Sequence, residues 1–397
     1  TGLSVAWVTS SSVNLTWNSV VPPSGCSITY NIYRNAALVV SGLTNLSYTD
    51  TSLLPSTTYT YTVSASDIVG ASAQSSGISG TTSAVNASSF PTNVFAPYTD
   101  MLLWPTPSLH QMATQSGSKF FTLGFIVSQS STNCTPSWGT YYTMSQNFLG
   151  SDISTLRSQG GDVIVSFGGA ANSELALACG TVSELQKQYQ LVLNTYNLSR
   201  IDFDIEGTAL GNATAYDRRA KAIAGLQAAA AASGKSLKVQ FTLPVLPTGL
   251  TSEGTALLKN AIQNGVDIST VNVMAMDYGS SYDPAKMGQH AVNAMTATIS
   301  QLKTLYGTSR TDLQIRAMVG VTPMIGVNDV SPEVFTLADA AFLLNAAQTN
   351  SIGFLGFWST TRDIQCANGS STLSPTCSGI IQAPWDFTNT MKAFTRN

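Results

Sequence analysis

Charge is what this chain has least of. Its 397 residues include 18 Lys and Arg and 21 Asp and Glu, only 10% of the total, for a net charge of −3. With no long basic run, nucleic acid or an anionic membrane is not expected as the main partner. Histidine is rarer still, with only His110 and His290, and none of the five cysteines forms a C-x-x-C pair. A zinc site is therefore not expected. No apolar run approaches the roughly 18–20 residues that span a bilayer. These absences leave a globular protein with an uncharged polar partner. Abundant Ser, Thr, Asn and Gly beside scarce Lys suggest a secreted, extracellular protein, expected to be a monomer.

The cysteines allow two readings. Cys366 and Cys377 lie in one Gly/Ser/Pro-rich loop that a disulfide would close in an oxidising compartment. Cys134–Cys179 is a second pairing, which leaves Cys26 over. The alternative is five reduced, buried thiols.

Residues 1–83 read as short alternating strands, SVAWV, VNLTW, TYNIYR and YTYTVSA, separated by Gly, Pro, Asn and Ser clusters. That spacing predicts a small all-β sandwich. Trp17, Tyr30, Ile32, Leu54, Tyr59, Tyr61 and Val63 are its expected core and corner. The run LLPSTTYTYTVSA resembles a fibronectin type III module. Small polar residues at 84–89 read as a linker.

From 90 to 397 the rhythm changes. Strands are predicted at 90–98, 120–127, 162–169, 200–206, 237–244, 270–278, 314–322 and 352–359. Helices are predicted at 182–197, 216–233, 251–264, 285–306, 336–350 and 385–396. Eight strand–helix units in about 300 residues predict an α/β fold, a (β/α)8 TIM barrel.

The stretch RIDFDIEG then stands out, because in a charge-poor chain it sets Asp202, Asp204 and Glu206 at every second position. Ile201, Phe203 and Ile205 would pack under the helices, and the acids would point into the barrel, rising toward its C-terminal mouth. Neighbours on one face lie roughly 6.5–7 Å apart at Cα, so three such groups cannot all ionise cheaply in a low dielectric. Glu206, nearest the mouth, is the expected proton donor, with Asp204 orienting and Asp202 a deeper modulator. A purely structural ion network would need basic partners, and the neighbouring strands contain almost none.

SRIDFDIEG resembles the D-x-x-D-x-D-x-E motif of family 18 glycoside hydrolases, the chitinases. DVIVSFGGA carries that family's S-x-G-G signature at Ser166, Phe167, Gly168 and Gly169. VNVMAMDY is similar to its sixth-strand motif, and Trp358 to the tryptophan that floors its sugar subsite. Two departures stand out. Ser199 and Arg200 replace the usual Asp and Gly. The familiar Met-x-Tyr-Asp becomes Met274, Ala275, Met276, Asp277, followed by Tyr278.

The resemblance implies a chitinase that cuts β-1,4-linked N-acetylglucosamine polymers without a cofactor, by substrate-assisted retaining catalysis. In that chemistry Glu206 protonates the glycosidic oxygen and the substrate's 2-acetamido oxygen attacks the anomeric carbon. Asp204 accepts the acetamido N–H, and Tyr278 is the expected hydroxyl partner of the acetamido oxygen. Trp358 would floor the sugar, and Tyr98, Trp104 and Trp138 would line outer subsites. Asp277, Met276, Gly168 and Gly169 complete the expected binding set. Gln240 and Met274 are expected to face inward and could equally be barrel filler. The short segment between the last two strands predicts an open groove and endo-type cutting. The alternatives are an endo-β-N-acetylglucosaminidase acting on N-glycan cores, or a non-hydrolytic chitin-binding barrel.

Overall fold

The computed structural model describes residues 2–22, 26–54, 57–83 and 89–395. It divides into two compact units, one of residues 1–86 with 147–155 and 195–197, the other of the remainder.

The first unit contains two antiparallel sheets. One orders Ser4–Val8, Val13–Thr16 and Ser47–Asp50; the other orders Ala37–Leu43, Thr29–Arg34, Thr58–Ser66 and Ile78–Thr81. Alternation produces the core: Val13 and Leu15 are buried while Asn14 and Thr16 are partly exposed. Trp17, Tyr30, Ile32, Leu53, Tyr61 and Val63 join them. The core leucine is thus Leu53, not the expected Leu54. Tyr59 is the corner: its hydroxyl accepts the Leu54 N–H at 2.9 Å. Residues 84–88 of the expected linker lie outside the described residues.

The second unit is a closed ring of parallel strands. We number them β1 (Val94–Phe95), β2 (Phe120–Ser130), β3 (Asp162–Gly168), β4 (Arg200–Asp204), β5 (Lys238–Leu246), β6 (Ile268–Ala275), β7 (Val319–Pro323) and β8 (Phe354–Leu355). Each pairs in parallel with the next from β2 to β8. β1 pairs with β8, and its continuation Tyr98–Asp100 pairs with β2, which closes the barrel. Helices Val182–Tyr196, Ala213–Ala232, Ser252–Gln263, Met287–Tyr306 and Leu337–Thr349 lie in the crossovers. Cys134–Cys179 and Cys366–Cys377 are both disulfides, and Cys26 is free.

Three expectations need correction. The seventh strand begins at Val319, because Asp312–Ala317 is helical. The Thr311 hydroxyl accepts the Gln314 N–H while the Gln314 side chain accepts the Thr311 N–H, a capping box that starts a helix running into the predicted strand. The last α-helix covers only Asp386–Met391, followed by a 3-10 turn. Helices Leu109–Ser116 and Gly150–Ser158 were not anticipated, being too short to show a clear 3.6-residue period.

β4 is buried along its whole length. On its helix side the Phe203 ring centroid lies 5.3 Å from Phe167, 5.7 Å from Phe241 and 5.1 Å from Tyr189. Burying such a phenylalanine contributes about 1.5–3 kcal/mol, and a one-residue slip would exchange it for a carboxylate, so the register is firmly set. The even-numbered residues are left facing the barrel axis.

Candidate active site

The inward column of β4 has four members. At the bottom Arg200 is buried, donating to Gln240 Oε1 at 3.2 Å and Thr270 Oγ1 at 2.9 Å. Its guanidinium lies 5.7 Å from the Phe90 ring centroid and 5.4 Å from that of Phe354. Above it Asp202 accepts Ser166 Oγ at 2.6 Å and Tyr98 Oη at 2.8 Å on one oxygen, and Thr242 Oγ1 at 2.7 Å on the other. A row continues across the barrel, Asn272 donating to Thr242 at 3.1 Å and Thr322 to Asn272 at 3.0 Å. Burial raises the Asp202 carboxyl, and its hydroxyl donors partly offset that rise.

Asp204 comes next. Burial, then the charges of Glu206 and Asp202, push its carboxyl well above the usual range. Its Oδ1 is buried and has no hydrogen-bond partner among the described residues, so it is an acceptor waiting for a donor. Glu206 ends the column just past the strand, in extended conformation. Burial and then the charge of Asp277 push its carboxyl up to about 7. Such a group can hold a proton near neutrality and release it on demand.

Around these acids lies a cleft of about 180 Å³, lined by Asp204, Glu206, Tyr98, Phe125, Met274, Met276, Asp277, Asp329 and Trp358, among others. Phe125 stacks on Trp358 at 5.7 Å and 17°. Asp277 takes φ 53°, accepts the Val330 N–H at 2.9 Å, and is raised chiefly by burial.

The structure therefore gathers Glu206, Asp204, Trp358, Asp277, Met276, Met274 and Tyr98 at one cleft, with Asp202 beneath. Six expected residues lie elsewhere. Tyr278 does not line the cleft; it is 5% exposed and packs against Tyr282 and His290. Strand β6 ends at Ala275 and Asp277 is left-handed, so the inward alternation Met274, Met276 does not extend to Tyr278. Gln240 is barrel filler, fully buried and accepting from Arg200. Trp138 is a fully buried core residue, whereas Trp104 is 89% exposed on a loop outside the cleft. Gly168 and Gly169 do not line the cleft either, but build its wall. A Cβ on Gly168 would lie 2.1 Å from the Asp204 carbonyl oxygen, and one on Gly169 would lie 2.8 Å from the Phe125 ring. Tyr98 has a second role that its sequence position hid, since it holds Asp202 as well as lining the cleft.

Sequence reasoning missed Arg200 as the column's base, and missed Phe125, Thr242, Thr322 and Asp329. Thr242, Asn272 and Thr322 had a signal: each is a polar residue at an inward position of an otherwise apolar strand. Asp329 sits in a loop with no pattern to mark it.

No protein-family model matches the chain. It is 40% identical over 317 residues to a probable bifunctional chitinase/lysozyme of Escherichia coli K12, covering 77% of this chain and 35% of that protein. It is 40% identical over 286 residues to endochitinase 11 of Metarhizium anisopliae, covering 70% of this chain and 54% of that protein. The chain thus spans between about a third and a half of the length of these curated relatives. The crystal structure of the catalytic domain of a hyperthermophilic chitinase from Pyrococcus furiosus matches with a TM-score of 0.71 at 35% identity, covering 78% of this chain and 97% of that domain. Catalytic-site mutants of that enzyme's active domain 2, complexed with chito-oligosaccharides, match at 0.70 and 34%, covering 78% of this chain and 96% of that one. With 35% identity across 97% of a solved chitinase catalytic domain, the chain belongs to the family 18 glycoside hydrolases, the chitinases.

Proposed function

We propose that this chain hydrolyses the β-1,4 bonds of chitin by substrate-assisted catalysis with retention of configuration, acting within chains. The observation that carries the reading is the pairing of Glu206, its carboxyl pushed up to about 7, with Asp204, whose buried Oδ1 lacks a donor. Both line the cleft with Trp358.

Protonated Glu206 gives its proton to the glycosidic oxygen as the C1–O bond breaks. The acetamido oxygen of the sugar bonds to C1, giving an oxazolinium ion, and the acetamido N–H donates to the empty acceptor of Asp204. Glu206, now a carboxylate, takes a proton from water. The water oxygen bonds to C1 from the face the leaving group vacated, which reopens the ring and restores the acid. Asp202 serves from below, its charge held by three hydroxyl donors. Trp358 offers the sugar an aromatic face.

Endo action draws support from the β7–β8 connection, which holds a two-stranded hairpin, Gly326–Val327 with Val334–Phe335, and the helix Leu337–Thr349. Neither is a large wall. In this reading residues 90–397 are the catalytic domain and 1–83 a fibronectin type III-like spacer. Secretion is supported by the two disulfides. No helix among the described residues is long and apolar enough to cross a membrane.

The test is the product profile from chitin oligomers, with the anomer followed by NMR at early times. Internal cuts and initial β-anomer are expected. Initial α-anomer would overturn the retaining mechanism. Release of glycans from a glycoprotein, with chitin left intact, would turn the reading to the N-glycan alternative.

A further inference from the structure

Below Arg200, at the end of the barrel away from the cleft, the strand entries surround a concavity of about 650 Å³. Its walls come from the starts of β4, β5 and β6, from residues 89–92 ahead of β1, and from Met318 and Gly353 just ahead of β7 and β8. Arg200 and Lys238 are register partners on β4 and β5, so two cations stand on neighbouring strands of this floor, about 4.8 Å apart at the backbone. Asp267 is the one acid in the lining, and Arg310 pairs with it at 2.8 Å. With that pair set aside, the lining keeps an excess of positive charge in a chain whose net charge is −3. Neither Arg200 nor Lys238 joins an ion pair among the described residues. Like charges placed directly opposite one another destabilise a sheet, so this pair calls for an anion.

Arg200 is the informative member. It is only 8% exposed, and both of its hydrogen bonds leave from Nη2. Its Nε is enclosed and has no partner among the described residues. A guanidinium carries five N–H donors in a fixed fork, and a buried donor left unmatched is costly. Burial lowers this group to about 10, so it remains charged at neutral pH. The rings of Phe90 and Phe354 and the charge of Asp202 offset part of the cost of burying it, but none of them supplies an acceptor to Nε. The sequence departs from its own motif at this point. Ser199 and Arg200 stand where an Asp and a Gly are usual, so the floor has exchanged an acid for a base.

We infer that this floor is an anion-binding site that takes a phosphate group between Arg200 and Lys238. A fork beside a mobile ammonium suits an oxyanion, which accepts from several donors at once, better than a halide. The hydroxyls of Ser199 and Ser236 border the same space and can donate to the remaining oxygens. The concavity exceeds what one phosphate fills, so the group can be free or can belong to a phosphorylated small molecule. The site lies at the opposite end of the strands from Glu206 and does not depend on the chitin-hydrolysing reading.

The experiment titrates the full chain with inorganic phosphate at pH 7 and constant ionic strength, by calorimetry, in wild type, Lys238→Glu and Lys238→Arg. Lys238 is exposed at a strand entry, so both variants should fold, which their melting curves check. Wild type should bind one phosphate with a Kd of about 1 mM or tighter. Lys238→Glu should weaken that at least about tenfold, and Lys238→Arg should stay within about threefold. At ten times the Kd, phosphate should raise the wild-type melting temperature about 3 °C more than that of Lys238→Glu. The difference between variants is the readout, because phosphate also stabilises proteins without binding a site. Glucose 6-phosphate in the same titration separates the two sources: tighter binding than inorganic phosphate supports a phosphorylated solute, and equal binding supports the free ion. No saturable binding by wild type, equal affinity in Lys238→Glu, or an equal rise in melting temperature would overturn the site.

Discussion

Removing the charge of Asp277 should move the pH at which the enzyme loses its acid. Asp277 is the second cause, after burial, of the rise of the Glu206 carboxyl from 4.5 to about 7. That whole rise corresponds to about 3 kcal/mol at about 1.36 kcal/mol per pH unit. Burial is the larger of the two causes, so the charge accounts for less than about half of the rise. Asp277→Asn keeps the side-chain shape, and its amide oxygen can still accept the Val330 N–H. The sign follows directly. A negative neighbour raises a carboxyl's pKa, so neutralising it lowers the pKa, and Glu206 loses its proton at lower pH. Since the acid works protonated, the alkaline limb of kcat/KM should shift down by about one pH unit. The assay is kcat/KM across pH on unmodified chitin oligomers, because only a natural sugar leaving group depends fully on the proton. An alkaline limb that stays in place or moves upward would refute this electrostatic account, whatever happens to the absolute rate.

Three further outcomes follow from the site. Tyr278→Phe should stay within about twofold of wild-type kcat/KM, since the hydroxyl lies outside the cleft and has no hydrogen-bond partner among the described residues; a loss above about tenfold would restore it to the mechanism. Gly168→Ala should cost about 3 kcal/mol and lower the melting temperature by about 5 °C or more, because φ is 102° and the new Cβ meets the Asp204 carbonyl; an unchanged melting curve would contradict that packing. Thr242→Val deprives Asp202 of one donor and should lower kcat by about tenfold with little change in KM, read from steady-state kinetics on oligomers; an unchanged kcat would remove Thr242 from the supporting row.

The acid column was legible in the sequence because strand period and burial enforce one another. Ile201, Phe203 and Ile205 must go to the helices, so Asp202, Asp204 and Glu206 must go to the axis. The barrel was legible for a similar reason, most strands being compact apolar runs. What the period could not carry was behaviour past the end of a strand. Tyr278 continues the alternation on paper, but Asp277 takes a left-handed φ and the alternation stops. The aromatic residues around the mouth were equally opaque. Trp138 is fully buried, Trp104 stands in solvent, and Tyr98 both lines the cleft and bonds Asp202. Burial of such a side chain depends on partners distant in sequence, which local pattern does not encode. Arg200 was in plain view beside the acids, yet its place under Asp202 needed the neighbouring Gln240 and Thr270 to be seen in register.

The most direct measurement replaces the proton donor alone. Glu206→Gln keeps the size of the side chain and its place in the cleft but removes the acid. Turnover of unmodified chitin oligomers should fall by about 10²–10⁴-fold. Oligomer affinity, followed by intrinsic tryptophan fluorescence, should stay within a few-fold of wild type. A variant that keeps most of its turnover would contradict the account.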